Sequence, residues 1–449
     1  MSIIRIKEVD AVLSACGGLV AINRLIRHHA QLPQLLDPQF PVRTGFADST
    51  VALSYIGLLS RGITHFDGVE AMRSDASFVQ ALGGPLPSSP TLRQRIELRG
   101  SDWLEPLYEA NARLLCRAKV RPVPMACGHV PLDFDTFVMD NSDCKKEGVG
   151  FTYAKVVGYV PIAAYLGSEG YLLELALREG TQHSAKETEY TLARVLPLAR
   201  RVTDAPLLLR ADSGFDSKKL YDELHTHRTQ GAQAGSVIDW IIKWNPRGLD
   251  INAAYAARKV HPDTVWHTVR EGLRTTTYRE SLANDQYRVL KLSVETINRD
   301  GQSLLVPRVR MDGWCTTLVN ASDAEVIELY ADHGTHEQFH SELKTDMNLE
   351  RLPSGKFAAN DAVCALAMLA YNALRIIGQQ ALTGPDSPIK HHAERRRIKT
   401  VIRELISAPA QWIHHARQWC LGLSSQWSGL AVFKHLIAWL NLDADAIQT

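Results

Sequence analysis

Residues 329–347 read LYADHGTHEQFHSELKTDM and carry most of the information about the fold. At about 100° per residue, one helix would place Tyr330, His333, Glu337 and Lys344 within about 60° on one face. That face offers a phenol, an imidazole and an ammonium group around one carboxylate. This combination is suited to a phosphate ester and a metal ion.

Two upstream aspartates each end an apolar run. Asp135 ends the alternation in VPLDFDTF (130–137), and Asp212 follows the apolar run in APLLLRADSGF (205–215). Open α/β sheets bind ligands at the carboxyl ends of their strands. Two strand-end aspartates followed by a helix-borne glutamate is the order in which a ribonuclease H-like fold assembles a two-metal phosphoryl-transfer site. We therefore predict an α/β protein with a ribonuclease H-like mixed sheet.

Each acid also has a simpler interpretation. Asp133 shares a strand face with Asp135 and is the reserve candidate, Asp212 could form an Asx-turn with Gly214, and Glu337 could pair with His333. Together, and in this order, the residues favour a catalytic set of Asp135, Asp212 and Glu337. Carboxylate oxygens are hard ligands, so we predict two Mg²⁺ ions, with Mn²⁺ as the substitute ion.

The bulk properties limit the possible classes of protein. At 449 residues, the chain is too long for one ordinary domain. Its hydrophobic fraction of 45%, charged fraction of 22% and net charge of +1 indicate a globular protein without a global field for nucleic acid. Any affinity for DNA must therefore come from local patches.

Cysteine usage and hydropathy predict a cytosolic location. The seven cysteines are scattered without a CxxC pair, which argues against a disulfide framework or a zinc site. Residues 1–18 show no signal-peptide pattern. The most apolar helical stretch, 358–377, contains four polar residues and is predicted to be a core helix rather than a membrane span.

The first 120 or so residues predict helices, from apolar spacings of three to four broken by Gly and Pro. The predicted helices are 11–29, 49–60, 66–73, 76–82 and 91–98. The last begins after Ser89-Pro90 and is predicted to expose Arg93, Arg95 and Arg99, so it could enter a DNA groove. A solvated helix face without a DNA role is the alternative.

From residue 130 the apolar period changes to that of strands. We predict strands at 130–138, 152–166, 171–178 and 206–211, and helices at 184–201, 217–230 and 325–348. Residues 236–320 return to strand-like runs and are predicted to form an inserted β-rich subdomain. The predicted regions are 1–125 (helical, DNA-end-binding), 126–235 (first part of the core), 236–320 (insertion), 321–352 (catalytic helix) and 353–449 (helical, including QWIHHARQW at 411–419).

These motifs resemble those of bacterial insertion-sequence transposases of the DDE class with the YREK signature, Tyr-x2-Arg-x3-Glu-x6-Lys. Tyr330, Glu337 and Lys344 keep the spacing, and His333 replaces the arginine. The blocks LDFDTFVMDNSDCKKEGVGFTYAKVVGYVPIAAYLG and LLLRADSGFDS are similar as well. The resemblance covers residues 130–352 and, more loosely, the N-terminal helical region.

The resemblance implies metal-dependent cutting at the terminal inverted repeats and joining of the freed 3′-hydroxyl ends to target DNA. It implies that Asp135, Asp212 and Glu337 bind the metal ions and that a homodimer forms the synaptic complex in the bacterial cytosol, associated with the nucleoid. Tyr330 and Lys344 would hold DNA phosphates, whereas His333 cannot form the permanent bidentate clamp of arginine.

A tryptophan completes the residues that the resemblance implies. Trp314 would stack a flipped base, as in family members that form a hairpin at the transposon end. A role in the β core is the alternative for Trp314, and Trp240, Trp244 and Trp266 compete for the stacking role. Two other functions remain open: a nuclease that does not transfer strands, and a DNA-binding protein whose catalysis has lapsed.

Overall fold

Fifteen strands form three sheets in this computed structural model, which describes residues 14–233, 235–415 and 418–445. Residues 11–13 of the first predicted helix lie outside these ranges. The strands are β1 (Ser14–Ala15), β2 (Val130–Thr136), β3 (Met139–Asp140), β4 (Gly150–Phe151), β5 (Val157–Tyr159), β6 (Ile162–Leu166), β7 (Tyr171–Ala176), β8 (Leu207–Ala211), β9 (Ile238–Lys243), β10 (His267–Arg270), β11 (Leu273–Ser281), β12 (Tyr287–Ile297), β13 (Ser303–Thr316), β14 (Pro409–His415) and β15 (Gln418–Leu423).

The α-helices lie mainly in the N-terminal third and in the C-terminal quarter of the described chain. They are α1 (Leu19–Arg24), α2 (Leu32–Leu36), α3 (Asp48–Leu59), α4 (Gly68–Arg73), α5 (Ala76–Leu82), α6 (Ser89–Arg99), α7 (Leu104–Arg117), α8 (Thr188–Val202), α9 (Lys218–Gln233), α10 (Ile251–Lys259), α11 (Asp323–Ala331), α12 (His336–Ser341), α13 (Phe357–Leu382), α14 (Ile398–Val401) and α15 (Leu430–Asp445). Short 3₁₀ or π turns extend several of them, including Asp332–Thr335 and Glu342–Asp346.

The central sheet has the strand order β10-β11-β12-β13-β9-β8-β2-β6-β7. In its core, β2 pairs antiparallel with β6 and parallel with β8, while β8 pairs parallel with β9. Strands β2, β6, β7, β8 and β9 therefore follow the order 3-2-1-4-5 with the second strand antiparallel to its neighbours. This topology is that of a ribonuclease H-like mixed sheet, as the sequence predicted.

The inserted β-rich part joins the core sheet instead of forming a separate layer. The end of β13 pairs with β9, from Trp314 opposite Lys243 to Thr316 opposite Ile241. Strand β9 itself lies within the core, although the sequence placed it at the start of the 236–320 insertion. A buried apolar run such as IDWIIK does not reveal its pairing partner, so the sequence could not place this boundary.

Helix α13 is the central helix of the molecule. It is the one helix among the described residues that is long and apolar enough to cross a membrane, yet 94% of its most apolar window is buried inside the protein. It packs against α7, β7 and α3, so the prediction of a core helix at 358–377 is confirmed.

Two predicted secondary-structure assignments are wrong. Residues 411–419 were assigned to a helical region, but β14 and β15 form an antiparallel hairpin that pairs with β1. The predicted strand 152–166 is divided into β5 and β6. Strand β5 pairs with β4 in a small separate sheet, whereas β6 belongs to the central sheet. Short strands of this kind are stabilised by distant partners rather than by their own apolar pattern.

Asp361 on α13 supports a prediction about stability. Its carboxylate accepts the Leu177 N–H at 2.8 Å, and burial raises its pKa to about 6. A folded pKa above the unfolded value of about 3.9 costs stability as pH rises through this interval. We expect Asp361→Asn to stabilise the protein by about 1–3 kcal/mol at pH 7, with no gain at pH 4. Thermal unfolding midpoints of both proteins across pH 4–7.5 would test this, and a pH-independent difference would contradict it.

Candidate active site

The parallel register of β2 and β8 places the two predicted aspartates side by side. Phe134 lies opposite Ala211 in the last recorded pair, so the next residues, Asp135 and Asp212, leave neighbouring strand ends at the same level. Asp135 is 9% exposed, and the Thr136 N–H donates to its Oδ1 at 2.7 Å. Asp212 accepts the Gly214 N–H at 2.8 Å, so it forms the local turn and also faces the site.

The third acid lies on a helical segment that is irregular at both ends. Helix α11 begins at a capping box formed by Ser322 and Glu325. A 3₁₀ turn separates it from α12, and a π turn follows α12. Although these turns advance more or less than 100° per residue, Tyr330, His333 and Glu337 line the same cavity, and of the four predicted side chains Lys344 is the one outside its wall. Glu337 itself is exposed, with no hydrogen bond or ion pair to any residue that the structure describes.

Asp135, Asp212 and Glu337 nevertheless line one cavity of about 800 Å³, which we name the acidic cleft. Its wall also includes Tyr330 and Lys243. The exposed rings of Phe151 (63%) and Tyr153 (66%) lie on its rim. The cleft thus combines carboxylates, a phenol, an ammonium group and exposed aromatic faces.

The electrostatics of the two aspartates fit a divalent cation. Burial and the negative charge of Asp135 raise the pKa of the Asp212 carboxyl. Burial alone would also raise the pKa of Asp135, but the hydrogen bond and charge of His336, with the nearby imidazoles, hold it below its ordinary value. Two neighbouring carboxylates that are largely removed from water are stabilised by a shared cation, and their oxygens suit Mg²⁺ or Mn²⁺.

Asp133, the reserve candidate, has a different environment. It is buried, and it accepts two hydrogen bonds from Arg210, at 2.7 and 2.8 Å. Arg210 also donates to the Leu329 carbonyl oxygen at 2.7 Å, and His333 Nδ1 lies 3.1 Å from Asp133 Oδ1. This Asp133–Arg210–His333 cluster joins the sheet to α11 and to the 3₁₀ turn that precedes the helix with Glu337. Asp133 is therefore bound within the protein, and of the two aspartates Asp135 is the one that lines the cleft.

The cluster also changes the interpretation of His333. His333 lines the acidic cleft, but its side chain is only 2% exposed and its Nδ1 is held by Asp133, so the structure shows an internal contact and the phosphate contact stays a prediction. Trp314 is 6% exposed, with its ring 6.2 Å from that of Tyr330. The indole is therefore part of a small core beneath the cleft, and its faces are not a free stacking platform.

The remaining residues of the predicted signature lie at different distances from the cleft. Tyr330 lines it, and burial and the charges of Asp212 and Asp135 raise the pKa of its phenol. Lys344 lies on the π turn, where its Nζ is 3.1 Å from Glu350 Oε2, and it is not part of the cleft wall. Of this pair, only the tyrosine lines the cleft.

The sequence interpretation missed His336 and His340. His336 Nε2 lies 2.5 Å from Asp135 Oδ2, and His340 Nδ1 lies 3.6 Å from the same oxygen. Both imidazoles are buried. A signal was present, because HEQFH at 336–340 has the His-Glu-x-x-His spacing that puts two imidazoles on one helix face.

Helix α6, the predicted DNA-reading helix, is partly engaged within the protein. Arg95 and Arg99 both bind the buried carboxylate of Asp48, the latter at 2.7 Å, and Trp103 donates to it at 3.0 Å. The structure therefore does not support a DNA contact for Arg95. Arg93 is exposed, and its guanidinium lies 5.7 Å from the Phe66 ring centre. Of Arg93 and Arg95, only Arg93 therefore lies on the solvated face of α6.

These contacts predict that replacing Arg95 lowers the stability of the protein much more than replacing Arg93 does. Arg95→Ala should lower the free energy of unfolding by about 1–3 kcal/mol, because the buried Asp48 loses one of its partners. Arg93→Ala should change it by less than about 0.5 kcal/mol. Chemical unfolding of both variants beside the wild type would test this. Equal stability of the two variants would show that the contact of Arg95 with Asp48 contributes little.

The fold and the acidic cleft define a ribonuclease H-like phosphoryl-transfer enzyme. The chain belongs to the family described as transposase DDE domain group 1, whose model matches residues 13–444. It is accordingly a DDE-type DNA transposase.

Comparison with individual proteins adds less. No curated protein matches the chain significantly. Among solved structures, it is similar to the piggyBac transposase in a cryo-EM structure of its synaptic complex with hairpin DNA. The identity is 12%, the match covers 87% of this chain and 78% of that one, and the TM-score is 0.39. Similarity at this level supports no residue-level inference.

Proposed function

We propose that this transposase cuts DNA at the terminal inverted repeats of an insertion sequence and transfers the freed 3′-hydroxyl ends into target DNA at the acidic cleft. The observation that supports this most directly is the meeting of Asp135, Asp212 and Glu337 in one cavity at the carboxyl ends of β2 and β8. Three carboxylates at this edge of a ribonuclease H-like sheet are the donor set that phosphodiester cleavage requires.

In this proposal, each acid has a defined role. Asp135 and Asp212 hold two Mg²⁺ ions, or Mn²⁺ as substitute, and the exposed Glu337 supplies a further ligand at the mouth of the cleft. When bound, the ions activate the attacking oxygen and stabilise the leaving oxygen. Strand transfer uses the same site, because a 3′-hydroxyl replaces water as the attacking group on a second phosphodiester.

Other groups in the cleft would position the DNA. The raised pKa keeps the Tyr330 phenol protonated, so its hydroxyl can donate to a phosphate oxygen. Lys243 lies in the wall 3.1 Å from Asp312 and can exchange that partner for a phosphate. Lys344 and Arg93 would contact DNA farther from the cut. The spacing of Tyr330, Glu337 and Lys344 fits the YREK-type bacterial elements, with a homodimer in the synaptic complex and action in the nucleoid-containing cytosol.

A strand-transfer assay tests this function. A labelled duplex with a pre-cut 3′-hydroxyl end, taken from the repeats that flank the gene, is incubated with supercoiled plasmid, Mg²⁺ and the full-length protein. We expect covalent joining of the label to the plasmid by the wild type and none by Asp135→Asn. Glu223→Gln, which changes a carboxylate on α9 that is not part of the cleft wall, is the matched control and should join at the wild-type rate.

The alternatives give different products. Nicked plasmid without joined label would indicate a nuclease that does not transfer strands. Binding of the terminal duplex without any nick or joint would indicate that catalysis has lapsed. Either result would overturn the proposed function.

A further inference from the structure

We infer that Asp135, His336 and His340 form a three-ligand site for a transition-metal ion, with two imidazole nitrogens and one carboxylate oxygen. The inference rests on the proposed function only in that Asp135 belongs to both donor sets. The ligand atoms of Asp135, His336 and His340 all lie within 4.8 Å of one another, close enough for one ion to bind all three after small side-chain movements. Such a site selects Zn²⁺, Co²⁺ or Mn²⁺ over Mg²⁺, because imidazole nitrogen suits borderline metals and Mg²⁺ requires oxygen.

The helix geometry presents the two imidazoles together. His336 and His340 are one turn apart on α12, and both rings face Asp135 at the end of β2. The intervening Glu337 points instead to the mouth of the acidic cleft. This is the arrangement by which a His-Glu-x-x-His helix offers two nitrogens to a metal and keeps a carboxylate beside it.

The hydrogen bonds of His336 favour a metal-binding tautomer. Its Nδ1 donates to the His333 carbonyl oxygen. Because Nδ1 is bound to that carbonyl oxygen, Nε2 is the nitrogen left for the metal. Without an ion Nε2 donates a proton to Asp135, and it would ligate the metal after releasing that proton. Metal-ligating histidines commonly have a backbone carbonyl as the partner of their second nitrogen. The direct contact between His336 and Asp135 would be replaced by two bonds to a common ion.

His340 is a buried imidazole with no hydrogen-bond partner among the described residues. It is 7% exposed and stacks on Phe137 at 4.4 Å, and its Nε2 bonds to none of the residues that the structure describes. Its Nδ1 lies 3.6 Å from Asp135, beyond hydrogen-bond distance. An ion bound at Asp135 would give the unpartnered nitrogen atoms of this buried ring a ligand bond.

Three protein ligands leave a coordination position open. In metal sites of this ligand count, water or substrate occupies the fourth position. Here that position would face the acidic cleft, because Asp135 and His336 both line it. The ion next to Asp135 would therefore be nitrogen-ligated, whereas an ion next to Asp212 would have oxygen ligands only.

Cobalt binding tests the site directly. Co²⁺ is titrated into metal-stripped, full-length protein, and its visible d–d absorption is recorded before and after addition of Zn²⁺. We expect one Co²⁺ per chain, displaced by Zn²⁺ and not by Mg²⁺. His336→Ala and His340→Ala should each weaken binding on the order of 100-fold. His435→Ala, which changes an exposed histidine on α15, is the matched control and should bind as the wild type does.

A second measurement uses only the wild-type protein, so its result does not depend on whether the histidine variants fold. Pulsed EPR of wild-type protein with one equivalent of Mn²⁺ should show hyperfine coupling to two imidazole nitrogens. Its absence, or equal Co²⁺ affinity in wild type and both histidine variants, would overturn the inference. Asp212→Asn should bind Co²⁺ normally and yet fail in strand transfer. Nitrogen coupling without DNA joining would therefore contradict the proposed function alone, and joining without nitrogen coupling would contradict this site alone.

Discussion

Asp212→Asn should abolish cleavage of the terminal duplex while leaving its binding intact. The substitution removes one negative charge and adds no bulk, and the amide can still accept the Gly214 N–H that holds the local turn. The metal-binding charge of the cleft falls, so we expect the cleavage rate in Mg²⁺ to drop on the order of 10³-fold or more. DNA affinity comes mainly from phosphate contacts elsewhere and should stay within about twofold at fixed salt.

The measurement pairs an electrophoretic binding assay with a single-turnover cleavage assay on the same duplex. Asp222→Asn is the control, because Asp222 is an exposed carboxylate on α9 that pairs only with Lys218 among the described residues. It should cleave like the wild type. If Asp212→Asn cleaved the duplex at the wild-type rate, Asp212 would not be a metal ligand.

Arg210→Met should be the most destabilising substitution among those considered. Arg210 and Asp133 are each only 4% exposed at their side chains, and the arginine also supports the Leu329 carbonyl. Removing the guanidinium leaves a buried carboxylate with His333 as its remaining partner, which costs about 3–5 kcal/mol. Helix α11, which leads through the 3₁₀ turn to the helix that carries Glu337, loses its contact with β8 at the same time, so cleavage should fall as well.

Thermal and chemical unfolding measure this effect, with Lys218→Met as the control. The ion pair of Lys218 with Asp222 is mostly exposed, so its loss should cost less than about 0.5 kcal/mol. The double substitution Asp133→Leu/Arg210→Met should recover much of the lost stability, because it removes the buried charge. Equal losses in Arg210→Met and Lys218→Met would contradict the positioning role of the cluster.

The main features of the fold could be predicted because they depend on local pattern. The apolar runs before Asp135 and Asp212 marked strands, and parallel strands bring their carboxyl ends to the same edge. The acidic cleft follows from these two facts and from the position of Glu337. The pairing partner of β9 was not encoded locally, since a buried run reads the same inside a core sheet and inside an insertion.

The errors concern contacts between residues far apart in the sequence. By its spacing, His333 matched a phosphate-binding position, but Asp133 on β2 binds its Nδ1. Arg95 appeared to be on a free helix face, whereas the buried Asp48 binds it. A buried carboxylate attracts the nearest cation regardless of sequence distance, and only the three-dimensional structure shows which one.

The most direct test of the account is to locate the metal ions. A crystal structure of the protein with its terminal duplex and Mn²⁺, recorded at the manganese absorption edge, would show the ions as anomalous peaks. The account predicts peaks in the acidic cleft that contact Asp135 and Asp212, with Glu337 turned towards them and the scissile phosphate between them. Peaks remote from these carboxylates, or DNA bound with its cleavage point outside the cleft, would contradict the assignment of this cleft as the active site.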